Sequence, residues 1–396
     1  MGFYGINVID FVIVIAVLIA AGNGHQRGFW LSLAQYMGLV VGVVLGAALA
    51  PPIADFLGVQ ATPAKPLVGV ILLFVLGSAG SSLGYWLGEP IRLHILAAAR
   101  VSEFDSLAGA AFSMVAVLAV SWFLGLSFSR GPSPTVSRLI QNSTALRYLD
   151  RLAPRPPGFL AGVEQVLAGV SFPATFSGLE PIVGSYPPPA SVDTPGVQHA
   201  AQETVLVRSR GVGCSGIITG SGYPVAGSHI LTNAHVVAGT RNTEVVTGTG
   251  SFAATVIWFD PNRDVAILSV QGLRLAPLKE SPAERGTQGA TIGYPGGGPE
   301  VTGPAVVDDR VTAEGRDIYN QNLVDRQIYI IGAKVEPGNS GGPLVDLNGD
   351  VLGVVFAAST SQPDRAYALS DDEVSGAISG ALNRSTAVDV GQRCAV

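Results

Sequence analysis

Four apolar segments, residues 6–21, 29–50, 67–87 and 107–126, fill the first third of the chain and constrain its fold more than any other feature. A bilayer core needs about 20 apolar residues per helix, and the first segment lies at the short end of that range. In hydrocarbon every backbone N–H and C=O must be paired within the protein, so such segments are predicted to be helices. A cleaved leader is a poor reading of the first one, because no basic stretch precedes it and a second apolar segment follows almost at once. Composition agrees with a membrane region. Only 13% of the 396 residues are charged and 48% are hydrophobic, against about 25% charged in ordinary chains.

The connections between these segments orient them. The first carries His25 and Arg27 and the third carries Arg92, His94 and Arg100. The second has only Lys65, offset by Asp55, and no Lys or Arg precedes Asp10. The excess of cationic residues on cytoplasmic loops then predicts a multi-pass membrane protein with both ends outside, so that the rest of the chain is extracytoplasmic, or periplasmic. Gly38, Gly42 and Gly46 form a ridge at helical spacing, and Gly80 and Gly84 repeat it. Such ridges let helices approach closely in lipid. Packing within one bundle is the favoured reading over a dimer interface. Asp10 reads either as a functional intramembrane carboxylate or as a group that reaches the interface.

From Arg130 to about Ala200 the pattern changes. Val136, Leu139, Ile140, Leu146 and Leu149 predict a juxtamembrane amphipathic helix. Arg155-Pro156-Pro157 and Tyr186-Pro187-Pro188-Pro189 then interrupt regular structure. Proline-rich stretches act as semi-rigid spacers, expected here to hold a following domain off the membrane and to expose sites for the chain's own cleavage. The expected division is a four-span domain over 1–129, a linker over 130–200 and a β domain over 201–396.

Past residue 200 the chain breaks into short β-rich runs separated by Gly, Asn and Asp turns. Six precede the middle of this region (204–207, 216–219, 229–232, 244–246, 255–259, 266–270). Six follow it (290–292, 305–312, 327–331, 342–345, 350–357, 366–368). Many short strands at regular spacing predict an all-β sandwich or barrel. Three segments carry chemistry: Thr232-Asn233-Ala234-His235, Asp264-Val265-Ala266-Ile267-Leu268, and Glu336-Pro337-Gly338-Asn339-Ser340-Gly341-Gly342-Pro343. A serine hydroxyl is a weak nucleophile until an imidazole takes its proton, and the imidazole needs a carboxylate to fix its tautomer. The order His, Asp, Ser is that of the chymotrypsin-type triad. Asp260, four residues before Asp264, is the rival carboxylate. His229 precedes His235 closely but pairs with no serine motif.

These segments, with Ile292-Gly293-Tyr294-Pro295, resemble the high-temperature-requirement branch of the chymotrypsin clan over about residues 204–370. The resemblance implies two six-stranded barrels with the active site in the cleft between them. It assigns Ser340 as nucleophile, His235 as general base, Asp264 as orienting carboxylate, and the N–H groups of Gly338 and Ser340 as the oxyanion hole. It also implies an S1 pocket lined by Val335, Val355, Phe356, Ala357 and Ala358. With no acidic residue there, a medium apolar P1 side chain is expected, unless Lys334 turns inward and favours an acidic one. The apolar third weakly resembles the colicin V production protein family. The whole arrangement, without the PDZ domain usual in that branch, resembles the mycobacterial acid-resistance proteases. That likeness implies a role in acid and oxidative stress, with envelope proteins as substrates and a cell-wall hydrolase as one candidate.

Cys214 and Cys394 are the only cysteines. Outside the cytoplasm they are expected to form a disulfide. Closing a loop of about 180 residues would stabilise by up to roughly 5 kcal/mol. A structural staple and a control on how the barrels sit are equally compatible with it. No metal-ligand spacing stands out and no cofactor is expected. A net charge of −6 and the absence of basic runs give no reason to expect nucleic acid, so the expected partners are peptide substrates and lipid. The alternative to an enzyme is a membrane scaffold or channel whose β domain only binds peptides.

Overall fold

The computed structural model describes residues 6–57, 64–98, 102–129, 133–152, 175–211 and 216–395. The chain divides into two compact units, Met1–Val170 and Ser171–Val396.

The first unit holds four long apolar helices, α1 (Val8–Arg27), α2 (Phe29–Phe56), α3 (Ala64–Ala98) and α4 (Ser102–Phe128). All four contain stretches long and apolar enough to cross a membrane. The glycine ridges meet each other. A Cβ on Gly38 would fall 2.1 Å from the Gly80 carbonyl oxygen, and one on Gly84 would fall 2.2 Å from that of Ala34. The ridges therefore let α2 and α3 touch backbone to backbone inside one bundle.

The predicted amphipathic helix is two helices, α5 (Pro134–Gln141) and α6 (Thr144–Leu152), separated at Asn142 and Ser143. Asp10 explains the break. Its carboxylate accepts from Ser143 Oγ at 2.7 Å and from the Ala145 N–H at 2.8 Å, and it also accepts from the Asn7 N–H at 2.8 Å. One buried side chain thus closes the capping box of α1 and caps the start of α6. The carboxylate therefore has a structural task, the joining of two helix ends, that neither reading of Asp10 anticipated.

Among its described residues the second unit contains twelve strands in two closed barrels. The first comprises β1 (Val205–Gly211), β2 (Ile217–Ala226), β3 (His229–Thr232), β4 (Thr240–Thr247), β5 (Gly250–Asp260) and β6 (Val265–Val270). The second comprises β7 (Gln288–Gly293), β8 (Val301–Arg316), β9 (Leu323–Gly332), β10 (Pro343–Asp346), β11 (Val351–Ala358) and β12 (Arg365–Ser370). The fold is therefore an apolar helical unit followed by a chymotrypsin-like double barrel. Alternating apolar positions fill each interior, Val207, Ile230, Val245, Ala266 and Leu268 in the first and Val307, Tyr329, Ile331, Leu344 and Ala366 in the second. Among the described residues three short α-helices, α7 (Pro195–Glu203), α8 (Ala234–Val237) and α9 (Asp371–Ala381), and a 3-10 turn at Pro295–Gly297 were not anticipated.

The expected spacer is corrected over its described second half, which is bonded onto the second barrel. The Ser177 N–H donates to the Glu314 carbonyl at 2.6 Å, Phe176 meets Tyr367 edge to face at 5.3 Å, and Glu180 accepts from Ser359 Oγ at 2.6 Å. The Tyr186 N–H, at the head of the proline run, donates to Asp308 at 2.8 Å. The segment carries aromatic and aliphatic side chains that the barrel can bury, and this outweighs the stiffness of its prolines. The other proline run, Arg155-Pro156-Pro157, lies outside the described residues.

At the far end of the unit, residues 388–395 run along the first barrel. The Val388 N–H donates to the Val256 carbonyl at 2.9 Å and the Gly239 N–H to that of Val390 at 3.0 Å. Ala395 packs against Ala234 and Ala238, behind the helix that carries His235.

Candidate active site

The Asn233-Ala234-His235 segment leaves β3 and turns at once into the single turn of α8. Asp264 ends the tight turn from β5 to β6 with φ +62, a left-handed conformation that Asp tolerates better than most side chains. Its carboxylate is fully buried and accepts twice from His235, from the backbone N–H at 2.9 Å and at Nδ1 at 2.7 Å. Asn233 Nδ2 donates to the Asp264 carbonyl oxygen at 2.8 Å, which holds the turn itself. With Nδ1 committed to Asp264, Nε2 is the imidazole nitrogen left for a substrate or nucleophile.

Asp260 is otherwise engaged. It accepts from the N–H groups of Asn262 and Arg263, both at 3.0 Å, and so shapes the turn that presents Asp264. Behind the same turn lies Arg326 of β9, almost fully buried. Its Nε donates to the Asn262 carbonyl at 2.8 Å and its Nη2 to that of Arg316 at 2.9 Å. Burial is the largest influence on this guanidinium and pulls its pKa down, while Asp264 heads the acidic groups that oppose the shift. His229 bonds locally, Nδ1 to the Ala226 carbonyl at 3.1 Å.

Ser340 sits on a turn closed by bonds from Asn339 N–H to Glu336 O at 3.0 Å and from Gly342 N–H to Asn339 O at 2.9 Å. Gly338 has φ +105, and a Cβ there would fall 2.3 Å from the Tyr294 carbonyl oxygen, so only glycine fits. The peptides flanking Gly338 are fixed. Gly296 N–H donates to the Pro337 carbonyl at 2.7 Å, which turns the Gly338 N–H the opposite way across its trans peptide. Ser221 Oγ donates to the Gly338 carbonyl at 2.8 Å and accepts from the Tyr294 N–H at 2.9 Å. Ser221 N–H donates to the Ser340 carbonyl at 2.7 Å. Among the described residues no acceptor engages the N–H of Gly338 or of Ser340. The two are available to an oxygen that gains negative charge.

The Ser340 turn also abuts the histidine segment. A Cβ on Gly341 would lie 2.4 Å from Thr232 Oγ1 and 3.0 Å from the Asn233 nitrogen. Ser221, on β2, is the residue that sequence reasoning missed. It lies in Gly220-Ser221-Gly222, a run that reads as a turn but is strand, and only the pairing of the two barrels reveals its role. Tyr294 flanks the same loop with its hydroxyl on the Thr204 carbonyl at 3.1 Å, and burial, then Glu300, pushes its pKa up to about 12.

The expected pocket residues are not all brought together. Val335 and Val355 share one apolar cluster, with Ala358 packed against it, whereas Phe356 and Ala357 belong to another. Successive residues of a strand face opposite ways, and an irregularity between Val355 and Ala357 shifts the alternation. Lys334 turns outward, paired with Glu336 at 2.9 Å and largely exposed, which removes it from the pocket. Cys394 carries no free thiol. Cys214 lies outside the described residues.

Comparison with known proteins agrees with both halves of this architecture. The description "Trypsin-like peptidase domain" matches residues 214–354 and "Colicin V production protein" matches residues 9–154. The crystal structure of Rv3671c protease from M. tuberculosis, active form, covers 55% of this chain and 96% of its own, with 38% identity and a TM-score of 0.53. A probable periplasmic serine endoprotease, DegP-like, from Pseudomonas putida is 34% identical over 140 residues, which is 34% of this chain and 28% of that protein. Serine protease Rv3671c of Mycobacterium tuberculosis is 33% identical over 379 residues, 93% of this chain and 94% of its own length. A likeness that spans the apolar helices as well as the barrels is shared ancestry of the whole chain, which belongs to the serine protease family of Rv3671c.

Proposed function

We propose that this serine protease is a membrane-anchored endopeptidase working through an acyl-enzyme, with Ser340, His235 and Asp264 as its triad. Asp264 holds Nδ1–H and thereby directs Nε2 to take the Ser340 proton as Oγ attacks the scissile carbonyl. The oxyanion of the tetrahedral intermediate is received by the N–H groups of Gly338 and Ser340, donors of a kind worth a few kcal/mol each in the transition state. His235 then gives its proton to the leaving amine, and water repeats the cycle on the ester. The observation that carries this reading is the doubly bonded His235–Asp264 pair beside a nucleophile turn whose Gly338 peptides are held from both sides.

Val335, Val355 and Ala358 line an S1 pocket that takes an apolar side chain. The protease unit faces the extracytoplasmic side, as the loop charges imply, and acts on envelope proteins under acid and oxidative stress. Cys214 and Cys394 form a disulfide; the absence of a free thiol among the described residues supports the pairing. The chain cuts its own linker. A fluorophosphonate probe tests the triad: it labels the wild type at Ser340 and leaves Ser340→Ala unlabelled. A folded wild type that takes no label supports instead a membrane scaffold with a peptide-binding β domain.

A further inference from the structure

The helical unit contains a cavity of about 340 Å³ between α1, α2 and α4. Six polar side chains from the three helices line it: Asn23 and Arg27, then Ser32, Gln35 and Tyr36, then Ser113. Polar groups at membrane depth are costly and usually mark a site. From these observations we propose that the cavity binds one phosphate group, carried by an anionic membrane lipid, with Arg27 as its cationic partner.

Arg27 is the first reason. An arginine in the last turn of a spanning helix ordinarily extends outward to the headgroups. This one turns back into the bundle, with Nη1 donating to Gln35 Oε1 and the guanidinium over the Tyr85 ring, 5.5 Å from its centroid. Gln35 stands six residues beyond the start of α2, or about 9 Å along the helix axis. Gln35 is held in turn, its Nε2 donating to Ser81 Oγ at 3.3 Å. Neither Gln35 nor Tyr85 brings a full negative charge, and Oδ1 of Asp105 accepts from the Phe29 N–H at 3.0 Å, at the first turn of α2. Of the five guanidinium N–H donors only one is used by Gln35, and a phosphate accepts two of the others side by side.

Ser32 is the second reason. It is 1% exposed, lines the cavity, and its Oγ has no hydrogen-bond partner. A buried hydroxyl without a partner costs free energy that an acceptor in the cavity would remove. The source of the phosphate follows from the wall formed by Ala16 and Ile19. Ile19 is 59% exposed on the surface of a helix long and apolar enough to cross a membrane. A headgroup phosphate can therefore enter from the side with its chains left in the bilayer.

The test uses the full chain in neutral detergent, with lipid retention read by native mass spectrometry and thermal shift. The probes are phosphatidylglycerol, phosphatidylcholine and inorganic phosphate. The expected result is one retained phosphatidylglycerol, bound at least 10-fold more tightly than phosphatidylcholine. Arg27→Gln should lose that preference, Arg27→Lys should keep part of it, and Ser32→Ala should weaken it several-fold. Should Arg27→Gln not fold, Ser32→Ala and Arg27→Lys still decide the matter. Equal retention of the two lipids by the wild type, or undiminished phosphatidylglycerol binding in all three variants, overturns the site. Saturable binding of inorganic phosphate with no response to phosphatidylglycerol overturns the lipid as its source.

Discussion

Replacing Ser221 by alanine removes one oxygen atom and two buried hydrogen bonds, those to the Gly338 carbonyl and from the Tyr294 N–H. Each group left unpaired costs about 1–3 kcal/mol in so buried a place. The loop is expected to relieve that cost by turning the Gly338–Asn339 peptide, and the adjoining Pro337–Gly338 and Asn339–Ser340 peptides, which carry the Gly338 and Ser340 N–H groups, then shift off the expected position of the oxyanion. Losing one such donor outright costs on the order of 100- to 1,000-fold in kcat. A donor that is re-aimed rather than deleted should cost about 10- to 100-fold, or roughly 1.4–2.7 kcal/mol of transition-state stabilisation. KM should change little, because ground-state contacts to the peptide are made elsewhere. The assay is steady-state turnover of a short peptide well below the melting temperature, with inhibition by a matching peptide boronate alongside. Affinity for the boronate, whose adduct carries the tetrahedral oxygen, should fall in parallel with kcat. A variant that melts like the wild type and turns over within twofold of it refutes the idea that this hydroxyl aims the oxyanion hole.

Ser340→Ala should end cleavage of the chain's own linker, and wild-type cuts should fall before Thr175, because 175–203 is bonded to the second barrel; mass spectrometry of the fragments checks both points. Acid should stabilise the protease unit. Glu280, Glu300 and Asp308 all have raised pKa values, chiefly through burial. A raised carboxylate contributes stability that is complete below its unfolded value and lost as pH rises through the folded one. The barrel transition of the full chain should therefore shift upward from about pH 7 to about pH 5, less so in Glu280→Gln. Glu244, lowered first by the Ser251 hydrogen bond, acts in the opposite sense but lies near the surface and counts for less. A midpoint that only falls on acidification contradicts this. Cys214→Ser should lower stability by about 2–5 kcal/mol and reduce turnover; identical melting and kinetics in oxidised wild type and variant would remove the bridge from the mechanism.

The strands were legible because each barrel strand has one face in a core, so apolar residues alternate between turn residues. All twelve runs correspond to strands, although β8 and β9 extend past the runs into residues of mixed character, Val301–Pro304 and Ala313–Arg316 in one and Leu323–Arg326 in the other. His235 and Asp264 were legible because their neighbours form a recognisable pattern, and the structure adds the two bonds that join them. Ser221 was not, because its meaning lies in a contact more than 100 residues away, with Gly338. Arg326 was hidden for the same reason: a charged residue just before the run 327–331 reads as surface, yet here it is buried behind the turn that presents Asp264. The resemblance groups Phe356 and Ala357 with Val335 and Val355, and it does not register the irregularity in β11 that puts the first two in a different apolar cluster. The docking of 175–203 escaped detection because proline content reports backbone stiffness and says nothing of what the intervening Phe176, Leu179 and Val183 can bury.

The strip of residues 388–395 also has a bearing on when the enzyme becomes competent. Synthesis is vectorial, and this strip emerges some 150 residues after the His235 helix it backs. At about 5–20 residues per second, that is a wait on the order of 10–30 seconds on the ribosome. Through that interval the first barrel has no Val390 in its core and no Ala395 behind α8. The serine turn, made in between, likewise has its histidine partner on a helix still lacking its support. The support behind the His235 helix is thus synthesised after every strand of both barrels and after the serine turn.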